Sequence, residues 1–354
     1  MKKTILFYFG HPSQFLFARE TIKNLQEKQH KVIILIKSKD VLENLVKESQ
    51  FNYQNILAEG RKDSKAGIII GLIKRDWRLF RFVRNKKIDI MAGSDPSLAH
   101  IGRLLKIPVI TFLEDDAEVI PNLAKTTYPF TKHIFAPHVC QVGENYKKKK
   151  LGYNGYMKLG YLHPNYFMPY KTKAPETYKP YILIRLAKLT AYHDSNIKGL
   201  NFTLIDKILE IINDNYELLI TSESDLPDLY SKYKLNSKPE DIHHVLYYSS
   251  LFISDSQSMT VESAILGTPS VRYSDFTGRI SVIEELEHRY KLTHSVKPPD
   301  ETNLLSTIGE LLEKNDLKEE YKKRKEKMLS EKIDVTELFT DLLDRYPSSI
   351  DRFS

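Results

Sequence analysis

Short apolar runs, each leading into an amphipathic stretch, set the strongest limit on how this chain folds. Thr4–Phe9 reads as a buried strand and passes through Gly10-His11-Pro12-Ser13 into a helical segment, 14–28, with Phe15, Ala18, Ile22 and Leu25 on one face. Val32–Ile36 and a helix over 41–48 repeat the pattern. A strand at 88–91, a helix at 97–105 and strands at 109–112 and 133–136 continue it. Strands alternating with helices predict an α/β fold with a doubly wound, mostly parallel sheet. Ligands of such a sheet bind beyond the carboxyl ends of its strands. The loops at Gly10-His11, Gly93–Pro96 and Glu114–Glu118 are therefore where chemistry is expected.

From Gly152 to Pro180, glycines and prolines punctuate a tyrosine-rich, aperiodic run, which reads as a domain boundary with an ordered connection. Beyond it Tyr181–Ile184, a helix over 202–212 and a strand at 217–221 restart the alternation. At 354 residues, two domains are expected rather than one core. The boundaries read as 1–165 and 176–330. Asp316–Lys332 is dense in Lys and Glu and reads as a solvated helix face, and Asp334–Leu343 regains an apolar stripe.

Leu251–Tyr273 carries the sharpest functional signal. Leu251–Ser254 reads as a strand, Asp255-Ser256-Gln257-Ser258 as a polar turn, Met259–Leu266 as a helix closed by Gly267 and Pro269, and Ser270–Tyr273 as the start of the next strand. In this order the helix presents its unpaired amides and partial positive charge beyond the sheet edge, a ready anion site. Glu262, one turn in, is placed to accept from sugar hydroxyls. Ser256 and Ser258 serve either as ligands or as helix caps.

The run D-S-x-x-M-T-V-E-x-A-x-L-G-T-P resembles the diphosphate- and ribose-binding segment of GT-B glycosyltransferases and non-hydrolysing UDP-N-acetylglucosamine 2-epimerases. The resemblance covers most of the chain. Asp89–Pro108 and Phe135-Ala136-Pro137 are similar to a bacterial and archaeal family of unassigned function related to the epimerases. It implies a GT-B-like pair of Rossmann-like domains facing a cleft, with a C-terminal tail, 331–354, crossing back to the first domain. It also implies that Ser256, Gln257, Ser258, Met259 and Thr260 hold a diphosphate and Glu262 the ribose. The Gly10-His11-Pro12 loop corresponds to one that approaches the donor sugar, which makes His11 a candidate base.

Other candidates come from residue chemistry. Glu114, Asp115, Asp116 and Glu118 crowd one loop, and carboxylates packed together raise one another's pKa, as a base near neutrality requires. Glu114 and Asp115 are the catalytic candidates with His11. The spacing has room for a divalent metal, but no histidine accompanies the cluster, so metal is not expected; nor is a cofactor, the nucleotide sugar being a substrate. Asp95 is either a helix N-cap or a site residue. Arg185 ends the first strand of the second domain, where a guanidinium reaches a diphosphate. His193 and Asp194, where Asp194 would fix the histidine's tautomer, are candidates because Arg185–Asp194 is similar to an L-R-x-x-x-x-x-A-x-H-D run of the family of unassigned function; His243, and Arg279 after Thr277-Gly278, complete the set. Adjacent His243 and His244 point different ways on any regular element, which argues against a paired metal site.

Composition bounds the partners. Fifty-three Lys and Arg against 46 Asp and Glu give +7, which suits anionic substrates or an anionic surface. In 61–87, Arg75, Arg78, Arg81 and Arg84 recur every third residue among Ile, Leu, Phe and Trp. The stretch 68–87 is either a helix on an anionic membrane or one packed on the sheet with a basic outer face. No zinc-finger spacing or aromatic RNA motif supports nucleic acid. A single cysteine, Cys140, excludes an intrachain disulfide and suggests a reducing cytosol. The start is too short for a signal peptide, and no run spans a bilayer. The reading is a cytoplasmic enzyme, soluble or peripheral on the inner membrane face. It transfers sugar from a nucleotide-diphosphate donor, UDP-linked, to a glycan or lipid-linked acceptor of the envelope. The alternative is a 2-epimerase-like enzyme, although Ile184–Asp194 departs from the T-x-H-R-R-E-N run of that family.

Overall fold

The structure, a computed structural model, describes residues 2–37, 41–57, 65–186, 199–222 and 224–353. His193 and Asp194 lie outside them. The chain divides into two compact units, Met1–Tyr166 with Ile333–Ser354, and Phe167–Lys332.

The first unit carries β1 (Thr4–Phe9), α1 (Pro12–Glu27), β2 (Lys31–Lys37), α2 (Leu42–Glu48), β3 (Tyr53–Leu57) and α3 (Lys65–Val83). It continues with β4 (Ile90–Gly93), α4 (Pro96–Leu105), β5 (Val109–Phe112), α5 (Pro121–Thr127), β6 (His133–Pro137), β7 (Lys150–Tyr153) and α6 (Leu159–Leu162). The second unit carries β8 (Tyr181–Leu186), α7 (Phe202–Ile212), β9 (Glu217–Ser222), α8 (Ile242–Tyr248), β10 (Leu251–Ser254) and α9 (Gln257–Leu266). After these come β11 (Ser270–Tyr273), α10 (Ser281–Glu284), β12 (His294–Val296), α11 (Glu301–Leu312) and α12 (Leu317–Glu331). The last helix, α13 (Val335–Arg345), belongs to the first unit.

Both sheets are parallel throughout. The first runs β3-β2-β1-β4-β5-β6-β7 and the second β12-β11-β10-β8-β9. In each, the chain winds one way from the first strand and then the other. The strand order therefore reverses between β1 and β4, and again between β8 and β10. Such switch points open a crevice at the carboxyl edge, where open α/β sheets bind ligands.

The central strands are buried along their length, which is why their sequences are continuous apolar runs. Phe339 of α13 is buried in an aromatic cluster of the first unit. Its ring lies 5.1 Å from Phe17 of α1, 5.5 Å from Phe112 of β5 and 4.9 Å from Phe135 of β6. Aromatic contacts of this geometry anchor the returning helix.

Three strands fall where no strand is read from the sequence: β3, β7 and β12. All three are edge strands, and their polar or half-exposed positions break the apolar run. Two of the elements in the punctuated stretch, β7 and α6, are part of the first unit rather than a connection. The strand expected at 88–91 begins at Ile90 instead, and the Asp89 carboxylate just before it accepts from the Thr4 amide at 2.7 Å.

Candidate functional site

Tight turns at the carboxyl edge place the loops of the first unit. Pro12 and Pro96 begin α1 and α4, where a missing N–H is harmless. His11 caps α1: its Nδ1 lies 2.8 Å from the Ser13 hydroxyl and accepts from the Ser13 amide at 3.3 Å. Gly93, which ends β4, is required there, since a Cβ would stand 2.5 Å from the Tyr8 carbonyl oxygen.

Asp95 caps α4, accepting from the Ser97 amide at 3.0 Å. It also meets Lys37 Nζ at 3.2 Å and Arg75 Nε at 3.5 Å. Burial alone would raise this carboxyl, but the two cations and the amide outweigh it and hold Asp95 below its ordinary range. Asp95 thus anchors β2 and α3 to the mouth of the switch point as well as capping a helix.

The acidic loop after β5 separates into distinct roles. Glu114 is buried, with Lys158 Nζ at 3.0 Å from one oxygen and the Met157 amide donating to the other at 2.5 Å. Its carboxyl is raised, burial first, against the pull of Lys158 and the Met157 amide; Asp115 contributes least. Mutual crowding is therefore not the main cause, contrary to the expectation from the loop's sequence. Asp116 accepts from the Gln141 amide at 2.6 Å and ties this loop to the one after β6. Asp115 is half-buried and Glu118 exposed.

In the second unit, Ser256 is the N-cap of α9. Its hydroxyl faces the Met259 amide at 3.5 Å, and its own amide donates to Ser254 Oγ at 2.7 Å. Ser256, Gln257, Ser258 and Met259 are all partly exposed around the helix mouth. Thr260 is buried, and its hydroxyl donates to the Ser256 carbonyl at 2.7 Å, so its side chain belongs to the helix. Gly267, at φ +76, closes α9 in the left-handed conformation that glycine adopts without strain. Glu262 is buried one turn in, with His243 Nε2 3.5 Å from its Oε2. His244 faces elsewhere, accepting from the Tyr170 amide at 3.1 Å. Arg279 is exposed and lies over the Phe276 ring at 5.1 Å.

Register reveals what the sequence did not. Thr221, Arg185, Ser254, Arg272 and Ser295 are successive partners across β9, β8, β10, β11 and β12. Partners in parallel register present their side chains to the same face, so a polar row crosses the whole sheet at its carboxyl edge. Arg185 donates to Thr221 Oγ1 at 3.0 Å. Arg272 is fully buried and donates from Nη2 to Ser274 Oγ at 3.2 Å, while its Nε and Nη1 have no hydrogen-bond partner among the described residues. Burial lowers its pKa to about 10, against the opposing pull of Glu284, Glu287 and Asp255. The readable signal was an arginine inside the short strand Ser270-Val271-Arg272-Tyr273.

The model of one protein family matches residues 10–323. The chain belongs to the family described as protein of unknown function, DUF354. Solved structures agree with its GT-B-like, two-domain α/β fold. S. aureus MnaA in a co-structure with UDP is similar at TM-score 0.70 and 12% identity, covering 99% of this chain and 98% of its own. UDP-GlcNAc 2-epimerase from Neisseria meningitidis, bound to UDP-GlcNAc, follows at 0.65 and 13%, with 97% and 100% covered. The calicheamicin glycosyltransferase CalG4 reaches 0.59 at 12% identity, with all of both chains covered. No curated protein matches the sequence.

Proposed function

We propose that this DUF354 protein is an enzyme acting on a nucleotide-diphosphate sugar, UDP-linked, and transferring the sugar to a glycan or lipid-linked acceptor of the cell envelope. One observation carries the reading. The N-terminus of α9 opens at the switch point of the second sheet, with Arg185 on the adjacent strand and Glu262 one turn inside. Helix amides and a guanidinium complement two linked phosphates, and a carboxylate complements a ribose diol. The UDP and UDP-GlcNAc named for two similar structures support the choice of nucleotide.

In this reading the amides of Gln257 and Ser258 and the Arg185 guanidinium bind the diphosphate, and Glu262 accepts from the ribose hydroxyls with His243 at its side. Cations and dipoles fixed around the diphosphate stabilise the charge that builds on it as the sugar bond breaks. A base takes the proton from the acceptor hydroxyl, and His11, Glu114 and Asp115 are the groups for it. His11 and Asp115 are partly exposed, whereas Glu114 is already engaged by Lys158.

A second reading, a sugar-nucleotide 2-epimerase, is supported by the Neisseria epimerase, whose TM-score of 0.65 is above the 0.59 of CalG4. Incubation with UDP-N-acetylglucosamine and no acceptor separates the two. The transferase reading expects the substrate to keep its configuration, whereas the manno epimer in the product supports epimerisation. Thermal shifts with UDP, GDP, CMP and dTDP sugars test both, and no stabilisation by any of them overturns both.

A further inference from the structure

Helix α3 carries an exposed face that neither the fold nor the nucleotide site explains. Ile69, Ile70, Ile73 and Trp77 are 60, 65, 62 and 56% exposed. At 100° per residue they fall within a stripe about 100° wide over about 12 Å of helix axis. The opposite side of the helix, with Leu79 and Val83, is buried on the sheet. Lys74 and Arg81 on the helix and Arg84, Lys86 and Lys87 just past its end are exposed as well. Arg81 lies over the Trp77 ring at 4.7 Å. The only acid of the helix, Asp76, is turned away to His100 Nδ1 at 2.9 Å.

Charge singles out the same segment. Residues 65–87 hold eight Lys and Arg and one acid, the whole of the chain's +7. The rest of the chain sums to zero, and within the segment Arg75 is buried against Asp95 and Arg78 donates to the Ile56 carbonyl, which leaves the exposed cations to define the charged face. Four large apolar side chains side by side in water are unfavourable, and such a patch marks an interaction surface.

We infer that α3 docks this protein on an anionic lipid bilayer. Ile69, Ile70, Ile73 and Trp77 enter the boundary between headgroups and acyl chains, and Lys74, Arg81, Arg84, Lys86 and Lys87 lie on the lipid phosphates. An exposed apolar stripe next to exposed cations at and beyond the end of the helix matches the two layers of that boundary. A second copy of the chain is the poorer occupant, because its own patch carries the same charge. No described helix is long and apolar enough to cross a membrane, so the contact is interfacial. This docking does not depend on which sugar nucleotide the protein uses.

Trp77 is the chain's single tryptophan, so the intact protein reports on its own docking. Titration with phosphatidylglycerol vesicles is expected to shift its emission to the blue, and acyl-chain bromination to quench it. Phosphatidylcholine vesicles leave it unchanged, and raising the salt from 50 to 500 mM weakens binding about tenfold or more. I69S/I73S and R81E/R84E each lose about tenfold in vesicle binding or more while keeping the wild-type melting temperature, since all four side chains are exposed. Unchanged emission with phosphatidylglycerol overturns the inference. So does a lipid-free blue shift that grows with protein concentration alongside a dimer in sedimentation velocity.

Discussion

The carboxyl edges of the two sheets use similar residues and balance their charges differently. At the first, Lys37 and Arg75 face Asp95, Lys158 faces Glu114, and His100 faces Asp76. At the second, Arg185 and Arg272 stand in a row with Thr221, Ser254 and Ser295, and among the described residues Arg272 forms no ion pair within salt-bridge distance. The first edge carries its own counter-ions and holds loops in place. The second keeps a buried cation whose nearest carboxylates act only at a distance, close to a helix N-terminus. An anion supplied from outside is stabilised more at the second edge than at the first.

Breaking a pair at the first edge should therefore change stability and leave nucleotide binding alone. Lys158→Met strands Glu114 in the interior and is expected to cost about 3–5 kcal/mol at neutral pH. The Glu114 carboxyl is already raised by burial, and losing Lys158 raises it further. A raised carboxyl adds stability below its unfolded pKa and loses it as pH climbs through the folded value. Thermal melts should thus show the variant nearest to wild type in acid and falling behind as pH rises. UDP affinity should stay within about twofold of wild type; a large loss of affinity would merge the two edges.

The second edge should respond the opposite way. Arg272→Met removes a buried cation with two donors that have no partner among the described residues, so the melting temperature should hold or rise. UDP affinity should fall about 10- to 100-fold, roughly 1.4–2.7 kcal/mol, while uridine binding should not move. Equal losses for UDP and uridine would make Arg272 a purely structural residue.

The smallest effect belongs to His100. Its imidazole is raised chiefly by the hydrogen bond to Asp76, with burial opposing. The pair adds stability below the ordinary value of 6.5 and loses it as pH rises through the higher folded value. His100→Gln should lower stability by about 0.5–1 kcal/mol at pH 5.5, with the gap closing by pH 9 in paired melts.

How much of this was legible follows from burial. Central strands such as β1, β4, β5 and β10 announce themselves because both faces are covered, and their apolar runs place the loops at Gly10-His11, Gly93–Pro96 and Glu114–Glu118. The α9 turn is legible because its cap, helix and terminal Gly267 are local in sequence. Edge strands were hidden by their exposed positions. The pairs Lys37–Asp95, Arg75–Asp95 and Glu114–Lys158 were hidden because they join residues 20 to 58 positions apart. Local spacing likewise cannot show that Arg185, Ser254 and Arg272 share one row, since only the strand order 11-10-8 brings them together.

Calorimetric titration of the wild-type protein with UDP and, separately, with uridine bears most directly on the anion site at the mouth of α9. UDP should bind about a hundredfold more tightly than uridine, the worth of one or two charge-assisted hydrogen bonds. Uridine binding as tightly as UDP would contradict the diphosphate site and the sugar-nucleotide chemistry built on it.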